Sequence, residues 1–201
     1  MRGVAPGGGE TNAYEAYIDD GYVIHDKIIQ QPLPEVHHYD LVFGNIDNEH
    51  GRLELGQLDR ITVHHTWTSN PTRPIEYVHV DWIRDRWNRP GYHFIVRNDG
   101  EIWQIMPIHF LVWGAANPLG FEPSPNARSI HIAFDDRLTA DNLPSQAAID
   151  SFGFLCRLLI GSSQLPSLHD SREHIVGHRT WRNNRADDCP GVLRETYLSW
   201  I

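Results

Sequence analysis

Apolar positions in this chain form short alternating runs and longer helical stripes, and the two follow one another from about residue 58 onward. Arg60-Ile61-Thr62-Val63-His64-His65-Thr66 is β-branched and alternating, which predicts a strand. Successive strand side chains point to opposite faces, so only one of His64 and His65 can face a given site. Pro71 to Pro74 reads as a loop. After it Ile75, Val78, Trp82 and Ile83 recur at helical spacing, predicting a helix over 75–87 that Asn88 to Gly91 ends. Tyr92 to Val96 and Glu101 to Ile105 flank Asn98-Asp99-Gly100, a strong hairpin signal. Ser129-Ile130-His131-Ile132-Ala133-Phe134 predicts another strand. A helix is expected from Pro144, a favoured first helical position, to Gly161, with Ile149, Phe152, Cys156 and Leu159 as its stripe. Glu173 to Gly177 reads as a short extended run delivering His178, and a last helix over about 192–200 packs Leu193, Tyr197 and Trp200. Strands alternating with helices, plus one hairpin, predict an α/β domain with a central mixed β-sheet flanked by helices.

Residues 1–54 depart from this pattern and read as an N-terminal extension, with the domain proper over 55–201. Gly7-Gly8-Gly9 is flexible linker chemistry, and Gln30-Gln31-Pro32-Leu33-Pro34 is stiff and extended. Tyr14 to Ile18 and Tyr22 to Ile24 are short apolar patches able to dock on a surface. Charge marks the same boundary. Residues 1–54 hold ten acids against three bases, so −7 of the total net charge of −9 belongs to them. Two readings follow: an extension wrapped on the domain, or an acidic arm that docks the protein into a larger assembly.

The acidic balance argues against non-specific nucleic-acid binding, which needs basic patches. No run of 18 apolar residues exists, so no membrane span is expected. Met1 to Gly9 lacks the apolar core of a secretory signal, so action outside the cytoplasm would need another route of delivery. Seven tryptophans, all between Trp67 and Trp200, suggest an aromatic-rich core or a lined groove.

The candidate chemistry lies in Asp187-Asp188-Cys189-Pro190-Gly191, read with Gly177-His178 and Val63-His64-His65-Thr66. Cys189 sits in a polar, turn-like segment, an odd place for a core residue. Cys156 falls on an apolar stripe, where a buried inert thiol is the default, although a disulfide between the two remains open. One thiolate and two imidazoles from three segments make a zinc site with three protein ligands, which leaves a fourth position for water. Such a site suits hydrolysis. His174 and His178 are four apart, but Ile175-Val176-Gly177 reads as extended, against a helical metal pair.

Val63-His64-His65-Thr66, Gly91-Tyr92-His93-Phe94 with its Asp99-Gly100 turn, Ser129-Ile130, Gly177-His178-Arg179 and Cys189-Pro190-Gly191 occur in a telling order. Over residues 58–201 the chain resembles the zinc-dependent N-acetylmuramoyl-L-alanine amidases shared by phage endolysins and peptidoglycan recognition proteins. The resemblance implies a Zn2+ ion at the base of a surface groove, held by His64, His178 and Cys189. It implies Tyr92 as a catalytic tyrosine, donating to the oxyanion or positioning the attacking water. It also implies cleavage of the amide between N-acetylmuramic acid and L-alanine in peptidoglycan. Trp67 and Trp113 read as hydrophobic fillers or, alternatively, as a sugar-stacking wall that contacts substrate, and Arg179 is a further candidate substrate contact.

The chain departs from the family pattern at three places. Relatives often carry Lys or Thr two residues before the third ligand; this chain has Asp187, which stabilises an oxyanion only if protonated. Asp187 is then a candidate base, with Arg185 an alternative to reach the oxyanion. The span from His178 to Cys189 carries an insertion, Trp181 to Arg185. A histidine common after the hairpin is replaced by Gly114. Against the amidase stand a non-catalytic peptidoglycan-binding module and an amidase built into a phage tail or injection machine through residues 1–54.

Overall fold

The computed structural model of the chain describes residues 16–19, 22–25, 36–38, 52–66, 90–168, 172–182, 189–192 and 194–201. The loop expected at 71–74, the helix expected over 75–87, Trp67, Arg185 and Asp187 lie outside them. The described residues form eight strands: β1 (Ala16–Asp19), β2 (Tyr22–His25), β3 (Val36–His38), β4 (Arg60–His65), β5 (Phe94–Val96), β6 (Ile102–Gln104), β7 (Ser129–Phe134) and β8 (Ile175–Gly177). The helices are α1 (Pro125–Arg128), α2 (Gln146–Gly161) and α3 (Arg194–Leu198).

β1 and β2 pair antiparallel, and the other six strands form one sheet in the order β3-β6-β5-β7-β4-β8. Its β5–β6 pair is antiparallel and the rest are parallel, so the sheet is mixed, as the alternation of elements predicts. β3 comes from within the expected N-terminal extension and pairs with β6, Val36 opposite Ile102, so the sheet takes a strand from each side of residue 54.

Period-2 alternation sorts the sheet into two faces with different tasks. Ile61, Val63, Phe94, Val96, Ile102, Ile130, Ile132 and Phe134 are buried in one cluster with Phe152, Leu155, Cys156 and Leu159 of α2. This is the main core, and the helical stripe expected over 144–161 supplies its second layer. The helix begins two residues later than Pro144 predicts, because Ser145 takes the N-cap and accepts a hydrogen bond from the Ala148 N–H at 3.1 Å. Ser145 is itself fixed by the hairpin turn, its N–H donating to Asn98 Oδ1 at 2.8 Å. Gly100 in that turn has φ +94, and a Cβ there would lie 3.1 Å from Ala147, so the turn packs directly on the start of α2.

The hairpin strands are shorter than the alternation suggests, but their pairing extends beyond the named spans. Arg97 N–H donates to Glu101 O and Ile105 N–H to His93 O, both at 2.9 Å. Before β8, Arg172–His174 forms a single 3-10 turn rather than extended chain. α3 is shorter than 192–200, and Trp200 beyond it packs edge-on against Phe134 at 5.6 Å between ring centroids. Neither Cys156 nor Cys189 is in a disulfide, which removes that alternative, and burial pushes the Cys156 thiol up. Among the described residues no helix is long and apolar enough to cross a membrane.

Candidate metal centre

The second face of the sheet carries Thr62, His64, His131 and Ala133, the residues that alternate with the core positions of β4 and β7. Polar side chains are affordable there only if each finds a partner. His64 does so twice. Its Nε2 lies 2.9 Å from His131 Nδ1, and its Nδ1 faces Cys189 Sγ at 3.8 Å.

His178 follows directly from β8, at the start of a 3-10 turn (His178–Trp181). That turn is pinned to β4 by Trp181, whose indole N–H donates to Thr62 Oγ1 at 3.0 Å. β8 pairs with β4, Gly177 closing the register one residue past Val176, so the His178 ring arrives beside His64 with centroids 4.7 Å apart. Cys189 is brought in by the backbone: its carbonyl accepts from Arg179 N–H at 3.1 Å. Gly177 permits the approach, since a Cβ there would lie 3.0 Å from Pro190 Cδ and 3.2 Å from the Tyr197 hydroxyl.

One ligand atom each from His64, His178 and Cys189 falls within 4.8 Å of the others. Tetrahedral zinc with Zn–N near 2.0 Å and Zn–S near 2.3 Å needs donor separations of roughly 3.4–3.6 Å, so small side-chain adjustments close the set. The donor set also fits in its chemistry, being nitrogen and soft sulfur with no carboxylate. Burial holds the His64 pKa well below its ordinary value, and the neighbouring His178, His131, His65 and Arg182 push it the same way. The neutral imidazole so favoured is the form that binds a metal.

Tyr92, on the chain entering β5, is buried with its ring centroid 5.1 Å from that of His64. Its hydroxyl donates a long hydrogen bond, 3.4 Å, to the His65 carbonyl, which places the phenol beside the histidine pair. His65 points the other way, as alternation requires, and its Nδ1 accepts from the Leu138 N–H at 3.1 Å. Trp113 is 39% exposed, and its backbone N–H donates to the Pro90 carbonyl, two residues before Tyr92. Arg179 is half-buried and donates from Nη2 to the Val192 carbonyl at 2.6 Å, clamping the far side of the Cys189 turn. Trp67, Asp187 and Arg185 lie outside the described residues.

Residues 54–192 match the family model described as N-acetylmuramoyl-L-alanine amidase, Amidase_2. The chain belongs to this family. Solved structures with a similar fold include the N-acetylmuramoyl-L-alanine amidase LysC from Clostridium intestinale URNW, at 20% identity and TM-score 0.62, covering 83% of this chain and 96% of that one. The Ph2119 endolysin from the Thermus scotoductus MAT2119 bacteriophage is similar at 19% identity and TM-score 0.55, over 70% of this chain and 82% of that one. Drosophila PGRP-LB matches at 18% identity and TM-score 0.57, over 79% and 88%. No curated protein matches the chain in sequence.

In this amidase-family chain the site includes one residue that sequence reasoning passed over. His131 was readable only as the middle of a strand, yet its place between Ile130 and Ile132 puts it on the face opposite the core, in register with Thr62 and diagonal to His64. The turn carrying Cys189 also makes a sharp demand. Gly191 has φ +85, and a Cβ there would lie 1.8 Å from the Leu138 carbonyl oxygen and 3.1 Å from His65 Nδ1. Gly191→Ala is expected to destabilise the metal-free protein by about 2 kcal/mol or more, through left-handed strain and a backbone clash. Denaturant unfolding checks this, and an unchanged midpoint would contradict the packing of the Cys189 turn on Leu138.

Proposed function

We propose that the chain is a zinc-dependent N-acetylmuramoyl-L-alanine amidase that hydrolyses the amide between N-acetylmuramic acid and L-alanine in peptidoglycan. The observation that carries this reading is the convergence of His64, His178 and Cys189 from β4, the turn after β8 and the 189–191 turn, with Tyr92 beside His64. Bound zinc supplies Lewis-acid polarisation of the scissile carbonyl and activation of water. The chain's own groups supply the rest. His64 and His178 present neutral nitrogens, and Cys189 a thiolate. The Tyr92 hydroxyl is held at 3.4 Å from its carbonyl partner, a bond weak enough to exchange for one to the developing oxyanion. Trp113 offers an apolar face to the glycan, Trp67 and Arg179 are read as further substrate contacts, and Asp187 as a base next to the third ligand.

The product is a bacteriolytic, endolysin-like activity on the cell wall, with residues 1–54 docking the enzyme to a phage or secretion assembly. A peptidoglycan-binding protein without activity would share the fold, and one experiment separates the two. Purified protein is incubated with peptidoglycan, with and without chelator, and new amino groups and new reducing ends are both assayed. Amino groups that appear without reducing ends, and that vanish with chelator, support the amidase. Binding with neither product supports the non-catalytic reading, and reducing ends alone point to a glycosidase.

A further inference from the structure

The buried face that holds the candidate ligands carries an imidazole the proposed chemistry does not use. His131 is fully buried in the middle of β7, with its Nδ1 2.9 Å from His64 Nε2. Two neutral imidazoles at that distance share one proton, so one nitrogen donates and the other accepts. His64 Nδ1 is the atom turned toward Cys189, so the proton of a metal-binding His64 belongs on Nε2. His131 Nδ1 is then the acceptor.

The surroundings of His131 hold it in that role. Its backbone N–H donates to His93 Nδ1 at 3.0 Å, and His93 Nε2 donates to the Phe110 carbonyl at 2.9 Å, so His93 has one tautomer and one orientation. The His93 and His131 rings lie nearly parallel, 26° between planes, with centroids 5.9 Å apart. Space for the His131 ring is made by Gly114. A Cβ on residue 114 would lie 2.3 Å from His131 Nδ1 and 2.8 Å from its Cε1, so any side chain there displaces the nitrogen that meets His64. His131 thus fills the space that Gly114 leaves.

We propose that His131 is a positioning residue of the metal centre. By accepting the His64 Nε2 proton it fixes the tautomer and ring orientation that leave Nδ1 free for the metal, and Gly114 is required so that it can. The inference rests on the reading that His64, His178 and Cys189 hold zinc. A histidine ligand whose second nitrogen is tied to an acceptor is a recurrent feature of metal sites, and loss of the acceptor costs 10–100-fold in affinity.

The test compares wild type, His131→Leu, His131→Asn and Gly114→Ala. Zinc affinity is read by competition with a chromophoric chelator, and the cobalt(II) absorption spectrum reports ligand geometry. Asparagine places an amide oxygen where Nδ1 was and restores the acceptor. The leucine and Gly114→Ala variants should lose about 10–100-fold in affinity and shift the cobalt spectrum, while His131→Asn should stay within a few-fold of wild type. Leucine binding zinc as tightly as wild type, or asparagine losing as much as leucine, overturns the proposal. A wild-type chain that binds neither ion overturns the metal reading itself, and this inference with it. A second measurement needs no variant: an imidazole proton–nitrogen correlation spectrum of the metal-free wild type should show His64 protonated at Nε2. Protonation at His64 Nδ1 would count against the assigned role whether or not the variants fold.

Discussion

Cys189→Ser is expected to reduce zinc affinity by about 10²-fold or more and to leave hydrolysis of peptidoglycan no faster than in chelator-treated wild type. A thiolate is available to zinc near neutral pH, whereas a serine hydroxyl is not ionised there and is a poor zinc ligand. The substitution is small and conserves shape, and Cys189 is anchored by its backbone carbonyl to Arg179 N–H, so the turn itself should persist. The unfolding midpoint of the metal-free protein should therefore change little, while the stabilisation that added zinc gives the wild type should disappear. His64→Ala should produce the same loss of binding for a different reason. It removes the imidazole that lies 4.7 Å from the His178 ring and leaves His131 with no partner to orient. Zinc titrations followed by thermal unfolding check both variants. Chelator-sensitive activity surviving in Cys189→Ser would remove the thiolate from the site and, with it, the three-ligand reading.

The legibility of these elements follows from how local their signals are. β4 and β7 were readable because six alternating residues carry the pattern without help from elsewhere, and each has a strand paired on both sides and core residues on one face. The hairpin was readable because Asn98-Asp99-Gly100 states its own turn chemistry, later used to seat Ser145 and the start of α2. β3 was not, because three residues carry no period and its partner β6 lies far along the chain. Tyr22 to Ile24 reads alone as a docking patch and becomes β2 only through pairing with Tyr17, Ile18 and their neighbours. The choice of candidate ligand within the His64-His65 pair was a harder case. Alternation separates His64 from His65 but does not say which faces the site, and the family pattern chose His64. The packing of His65 against Leu138 supplies the physical reason. His131 shows the converse failure, since a polar residue inside a β-branched strand gives no local sign of the partner it will meet.

Acidification from pH 7 to 4.5 is expected to destabilise the fold by several kcal/mol before carboxylate titration contributes much. His93 shows why. Burial, opposed only in part by the hydrogen bond to Phe110 O and helped by the charge of nearby His109, lowers its pKa from 6.5 to about 4. The fold therefore favours the neutral ring. The unfolded chain takes up a proton through pH 6.5 while the folded one does not, so the stability His93 contributes is complete above 6.5 and falls as pH drops. The loss ends near pH 4, where the folded state is protonated too, and amounts to about 3 kcal/mol. Burial also holds His131 well below its ordinary value, so the measured slope in metal-free protein should exceed that of one histidine. Denaturant unfolding of the metal-free chain at half-unit steps from pH 7.5 to 4.5 gives the curve. His93→Asn keeps an acceptor for the His131 N–H and removes the titration, so it should be less stable than wild type at pH 7.5 with the gap closing toward pH 4.5. Parallel curves for the two proteins, or a flat wild-type curve over this range, would show that the buried face admits protons that its hydrogen bonds are arranged to exclude.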